Sequence, residues 1–160
     1  MFLNKRYEQA SVAFLRAGED RETAICNAYF LRERARLIST TAHATRVQAF
    51  ITAAKAFIAC AQDFPPTQRV NEHLAYHGAA GECYLEARDS KNAGKHYLIA
   101  EQYGAAARAY LEGKYFDKMV EVITQHRKAI DSGLLERLTM AAQMHYAEVD
   151  LSSQLVSERI

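Results

Sequence analysis

The chain is expected to be all-α: antiparallel helical hairpins stacked in sequence, about eight helices in all. Three observations carry this. Helix breakers are scarce among the 160 residues, with seven glycines and two prolines, Pro65 and Pro66, that are adjacent. No apolar–polar alternation rich in β-branched residues appears, so no strand is expected. A small-x-x-x-aromatic-aliphatic-x-small signature returns along the chain, three times at a spacing of 13 residues without gaps.

Spacing and stop signals place the elements in order. A first helix is expected over Lys5–Ala17, with Tyr7, Ala10, Phe14 and Ala17 on one face and Gly18 as its C-terminal stop. Asp20 can cap a long second helix reaching Ile38, with Glu22 in its positive first turn. The polar run Ser39-Thr40-Thr41 breaks it. A third helix follows over Ala44–Gln62, its inner face Phe50, Ala53, Ala54, Phe57 and Ala61. Asp63-Phe64-Pro65-Pro66 is the clearest stop, and Pro66 or Thr67 can open a fourth helix that ends near Arg88. Ser90 is expected to cap a fifth helix running to Glu101; two short ones follow over Ala105–Glu112 and Phe116–His126. Asp131 or Ser132 caps an eighth, from Leu134 to Val149. Residues 1–150 thus read as one helical-repeat domain with a loop break at 63–66, and 151–160 as a frayed tail.

The repeat says what these helices do with their faces. Ala80-x-x-x-Tyr84-Leu85-x-Ala87, Ala93-x-x-x-Tyr97-Leu98-x-Ala100 and Ala106-x-x-x-Tyr110-Leu111-x-Gly113 align in register. Ala10…Phe14-Leu15…Ala17 and Ala53…Phe57-Ile58…Cys60 repeat the pattern. Small residues four before and three after an aromatic share its stripe, so the ring is a knob between flat patches where a neighbouring backbone can approach. A single helix cannot bury that stripe alone, whereas stacked hairpins can. Tyr84, Tyr97 and Tyr110 are therefore expected to be packing residues whose hydroxyls reach a loop or water.

On these residues the chain resembles the tetratricopeptide class of α-solenoid. Glu101-Gln-Tyr103-Gly-Ala-Ala106 and Lys114-Tyr-Phe116-Asp-Lys-Met119 look like the start of a second repeat helix. The chain departs from that class in lacking a Trp-Leu-Gly opening, a helix-closing proline and the 34-residue period. Ala13-Phe14-Leu15-Arg-Ala17-Gly18, Tyr29-Phe30-Leu31-Arg32-Glu33-Arg34-Ala35-Arg36, Ala53–Ala61 and Tyr115–His126 are similar to the helical-repeat region of large fungal proteins that also carry a UvrD/Rep-type helicase module. They are similar, too, to animal proteins combining tetratricopeptide and ankyrin repeats. The resemblance spans Asn4–Ala147 and implies that the chain is one segment of a larger multidomain protein.

Composition narrows the function. The net charge is +1, and the two halves, split at residue 80, carry +3 and −2, so no global basic field marks a dedicated nucleic-acid binder. Three cysteines, Cys26, Cys60 and Cys83, sit in apolar helical stretches without a CxxC, which reads as reduced thiols in an intracellular protein, cytoplasmic or nuclear. The N-terminus has no signal-peptide core, and the most apolar run, Val47–Ala61, is too short and too interrupted to span a bilayer.

Gly94-Lys95 and Gly113-Lys114 lack the Gly-rich approach and the following Ser/Thr of a phosphate-binding loop. No Gly-x-Ser-x-Gly elbow occurs, and Glu82/Glu86, one turn apart, read as exposed surface glutamates. His73 and His77 are a turn apart and could form half a metal site, but position 74 is leucine and no third ligand is evident. The chain is therefore expected to be no enzyme, to use no cofactor and to bind no metal. Its expected role is a protein–protein interaction scaffold holding a protein or peptide partner, with Lys95, His96, Gln102 and Arg108 on the inner faces of the short helices as contact residues. The alternative is an accessory nucleic-acid surface of a helicase-containing parent, using Arg32, Arg34, Arg36 and Arg46; Arg34 falls opposite Arg32 and Arg36, so that cluster is divided.

Overall fold

A computed structural model describes residues 6–10, 12–13, 20–63 and 70–157. Residues 6–10 and 12–13 are helical; the expected end of the first helix at Ala17 and Gly18, and the start at Pro66 or Thr67, lie outside the described residues. The helices that follow are α1 (Asp20–Leu37), α2 (His43–Gln62), α3 (Val70–Glu86), α4 (Ser90–Ile99), α5 (Tyr103–Glu112), α6 (Phe116–Gln125) and α7 (Ser132–Ser157), with a 3-10 turn at Arg127–Ala129. Among the described residues there is no strand, and the protein is an all-α stack in which each helix packs on the next in sequence.

Helices α4, α5 and α6 are each ten residues long and begin 13 residues apart, so the period seen in the sequence is one helix plus a three-residue turn. The three turns are copies of one another. Arg88, Glu101 and Lys114 occupy left-handed backbone with φ of 62°, 58° and 61°. Behind each, the next residue's N–H reaches five residues back: Asp89 to the Tyr84 carbonyl, Gln102 to Tyr97, Tyr115 to Tyr110, at 2.8–2.9 Å. Together with the bonds of Arg88, Glu101 and Lys114 three residues back to Leu85, Leu98 and Leu111, each 3.0 Å, this is a Schellman stop. The residue after the left-handed position then serves as N-cap of the following helix, so one helix ends and the next begins within three residues.

Two expected boundaries need correction. Asp89, not Ser90, caps α4: its carboxylate accepts from the Asn92 N–H at 3.1 Å, while Ser90 is already helical and buried. Helix α7 runs past its expected end at Val149 to Ser157, with no glycine or proline after Gly133 to stop it. Its start is as expected, with the Asp131 carboxylate accepting from the Leu134 N–H at 3.0 Å.

Helix α5 buries two faces, one toward each neighbouring core: Ala106 and Ala109 belong to the core shared with α1–α4, whereas Ala107 and Tyr110 belong to the core shared with α6 and α7. Tyr84, Tyr97 and Tyr110 are all buried, as the knob pattern predicts. The α1–α4 core centres on Phe50 and Phe57 of α2, with the Tyr29 ring edge-on to Phe57 at 5.1 Å.

Candidate partner-binding groove

Two adjoining cavities run along one side of α1–α5. The larger, about 470 Å³, is bordered by His43, Arg46, Val47, Arg88 and Glu112; the smaller, about 160 Å³, by Arg32, Arg36, Phe50, Glu82 and Tyr97. Leu85 and Glu86 of α3 line both, so the cavities form one groove.

Guanidinium–carboxylate pairs cross it in series. Arg32 reaches Glu82 at 3.5 Å, Arg46 reaches Glu86 at 3.3 Å, and Arg88 reaches Glu112 at 3.0 Å. The helical repeat sets part of this row: Glu82 and Glu86 are one turn apart on α3, and Arg88 occupies the left-handed turn that follows. The two inner guanidiniums are committed to the fold. Arg46 donates to the Ala35, Arg36 and Ile38 carbonyls at 3.4, 3.2 and 2.9 Å, closing the negative C-terminal end of α1, and lies over the Phe50 ring. Arg32 lies over Tyr29 and Phe57 and also contacts Glu33 at 3.4 Å. The groove surface is left with the outer ends of the pairs: the side chains of Glu82 and Glu86 are each 55% exposed and that of Arg88 73%.

The arginines singled out in the sequence therefore separate. Arg32, Arg36 and Arg46 come together at the groove, Arg36 paired with Glu33 at 2.7 Å, while Arg34 lies over Phe30 and does not line it. The four expected partner contacts do not line it either. Lys95 and Arg108 are exposed, one repeat apart, and Gln102 is exposed with its amide packed over Gly78. His96 has to be corrected: it is buried, because it occupies the inward repeat position of Cys83 and Ala109 and cannot meet a partner.

His96 instead joins the histidine pair noted on α3. Its Nδ1 lies 3.0 Å from Nδ1 of His77; the His77 ring meets the His73 ring at 4.6 Å, and His73 Nδ1 contacts the Ala61 carbonyl at 3.1 Å. A bond between two Nδ1 atoms requires one to carry the proton and the other a lone pair, which fits a pair of neutral rings. Burial, with His73 and His96 adding to it, pulls His77 down to about 4, and burial followed by Lys95 lowers His96. The Nδ1 atoms of His73 and His77 are thus spent on the Ala61 carbonyl and His96, and among the described residues no group of three or more His, Cys, Asp or Glu is placed to hold a metal ion. The three cysteines are unpaired, and burial pushes Cys60 and Cys83 up to about 11 and about 12, which suits inert thiols.

Compared with known protein families, curated proteins and solved structures, the chain shows no match. No helix among the described residues is long and apolar enough to cross a membrane.

Proposed function

We propose that the protein is a non-enzymatic interaction scaffold of the helical-repeat kind, and that the groove between α1 and α5 receives an extended segment of a partner protein. The observation that carries this reading is the row of three ion pairs with exposed outer ends above an apolar floor of Val47, Phe50 and Leu85. An incoming segment exchanges these half-exposed pairs for its own: basic side chains meet Glu82, Glu86 and Glu112, and acidic ones meet Arg36 and Arg88. Charge order then specifies register more than it adds affinity. The nucleic-acid alternative has less support, because three glutamates face the groove and Arg32 and Arg46 are held by the fold.

The test is selection of displayed random peptides on the whole protein, followed by affinity measurement on Glu86→Arg and on Met144→Glu, a change far from the groove. Peptides of mixed charge that lose about tenfold or more on Glu86→Arg and nothing on Met144→Glu are expected. Peptides indifferent to Glu86→Arg would refute the groove. Salt-dependent capture of single-stranded DNA or RNA, lost on Arg36→Glu, would transfer support to the alternative.

A further inference from the structure

The smaller cavity of the groove, about 160 Å³, has room for one side chain. Its floor is apolar, formed by Phe50, Cys83 and Leu85, and its rim is charged, with Arg32 and Arg36 on the α1 side and Glu82 and Glu86 on the α3 side. Tyr97 of α4 lines it as well. That residue is only 5% exposed, its ring is held against Gly81, and its hydroxyl has no hydrogen-bond partner among the described residues. Burial, followed by Glu82, pushes the phenol up to about 12, so at neutral pH it is an uncharged O–H with lone pairs to offer. A buried hydroxyl is normally bonded. The partner this one lacks in the fold can be supplied from the cavity.

The two sides of the rim are not equally satisfied. Glu33 answers both arginines of α1, Arg36 at 2.7 Å and Arg32 at 3.4 Å. Across the cavity Glu82 and Glu86 each keep one guanidinium contact, at 3.5 and 3.3 Å, longer than the roughly 2.9 Å of a strong charge-assisted bond. An ionised carboxylate has about four acceptor sites, so the spare capacity around the Tyr97 hydroxyl is acceptor capacity. An acidic side chain would meet Arg36 only by setting its charge beside Glu82 and Glu86. An apolar one would seal the Tyr97 hydroxyl without a partner. A basic side chain satisfies both demands: its methylenes lie on Phe50 and Leu85, and its terminal nitrogen donates to the two carboxylates and to Tyr97 Oη.

We propose that this cavity is the anchor pocket of the groove and takes one basic side chain, lysine or arginine, of the incoming segment, with Glu82, Glu86 and Tyr97 Oη as its acceptors. The proposal rests on the groove reading above and adds to it the one position at which the partner's residue type is fixed.

The test uses short blocked peptides with alanine on either side of one varied residue: lysine, arginine, norleucine or glutamate. Each is titrated from about 0.1 mM to about 10 mM into the whole protein, read by the NMR shifts of the Leu85 methyls. The better of lysine and arginine is expected to bind about tenfold or more tighter than norleucine, with glutamate weakest, and their ratio names the residue preferred. Tyr97→Phe removes a hydroxyl that bonds nothing in the fold, so the urea midpoint should hold while the preference over norleucine falls severalfold. Glu82→Gln/Glu86→Gln should abolish the preference. No binding of either basic peptide, norleucine or glutamate binding as tightly, or a preference unchanged by Tyr97→Phe would each overturn the pocket. If longer selected peptides still lost affinity on Glu86→Arg, the groove would stand without this anchor, so the two readings fail separately.

Discussion

The ring of Tyr97 lies so close over Gly81 that a Cβ on that glycine would meet its Cδ1 at 2.9 Å, and one repeat later Tyr110 covers Gly94 still more tightly, at 2.5 Å from Cε1. The glycines of this repeat thus serve close approach, not turn conformation, and the knob of each unit is seated on the backbone of the preceding helix. Alanine is favoured over glycine by about 1 kcal/mol in a helix interior, which would ordinarily make Gly94→Ala stabilising. Here the clash falls on a buried ring with no free end to swing away, and overpacking costs about 1–3 kcal/mol. Gly94→Ala is therefore expected to lower the urea midpoint, and Gly81→Ala to do so less. The double change Gly94→Ala/Tyr110→Leu should recover part of the loss seen with Gly94→Ala, measured against Tyr110→Leu alone; strict additivity would show that the contact is not the cause.

The left-handed turns have the opposite character. Glu101 has φ 58°, is exposed, and carries a Cβ that this backbone disfavours. Glycine removes that strain, offset in part by its larger chain entropy when unfolded. Glu101→Gly is expected to stabilise by about 0.5–1 kcal/mol, and Glu101→Val to destabilise by a similar amount or more, because β-branching is worst in left-handed backbone. Thermal melts of the two variants against the parent decide it, and a stabilising valine would contradict the assignment.

These two features show how far the chain could be read in advance. The 13-residue period, the knob tyrosines, the Asp131 cap and the break at Ser39–Thr41 are local, because each depends on residues within a turn or two of one another. The groove is not local. Arg32–Glu82, Arg46–Glu86 and Arg88–Glu112 join residues 50, 40 and 24 apart, and their meeting depends on how the helices slide past one another. For the same reason the exposure of Glu82 and Glu86 is legible in the sequence but their pairing is not, and His96 reads as a contact residue. One signal did mark His96 as inward: it shares a repeat position with Cys83 and Ala109.

The His77–His96 pair gives the fold a pH dependence. His77 is held down near 4, and His96 is lowered as well, whereas an unfolded histidine titrates near its ordinary value of 6.5. Below that value the unfolded chain takes up protons that the folded chain refuses, so stability falls as pH drops through 6.5 toward 4. The groups facing the pair, His73, Tyr84 and Lys95, supply no carboxylate to offset this. Urea unfolding between pH 7.5 and 4.5 should show a loss of up to about 1.4 kcal/mol per pH unit for each histidine that stays neutral. The double variant His77→Leu/His96→Leu should flatten the profile between pH 6.5 and 5; an unchanged slope would assign the dependence elsewhere.

Arg46 and Glu86 touch each other but should not contribute alike. Arg46 supplies donors to three carbonyls at the end of α1, and its side chain is only 20% exposed. Arg46→Ala leaves part-buried carbonyls without their partner and strips Phe50 of its cover, which should cost about 2–3 kcal/mol at any ionic strength. Glu86, 55% exposed, contributes one solvent-facing ion pair, so Glu86→Gln should cost less than about 1 kcal/mol, and that remainder should vanish in high salt. Urea titrations in low and high salt separate the two. If Glu86→Gln proved as damaging as Arg46→Ala, the outer carboxylates would belong to the fold and would not be free to exchange their partners for those of an incoming chain.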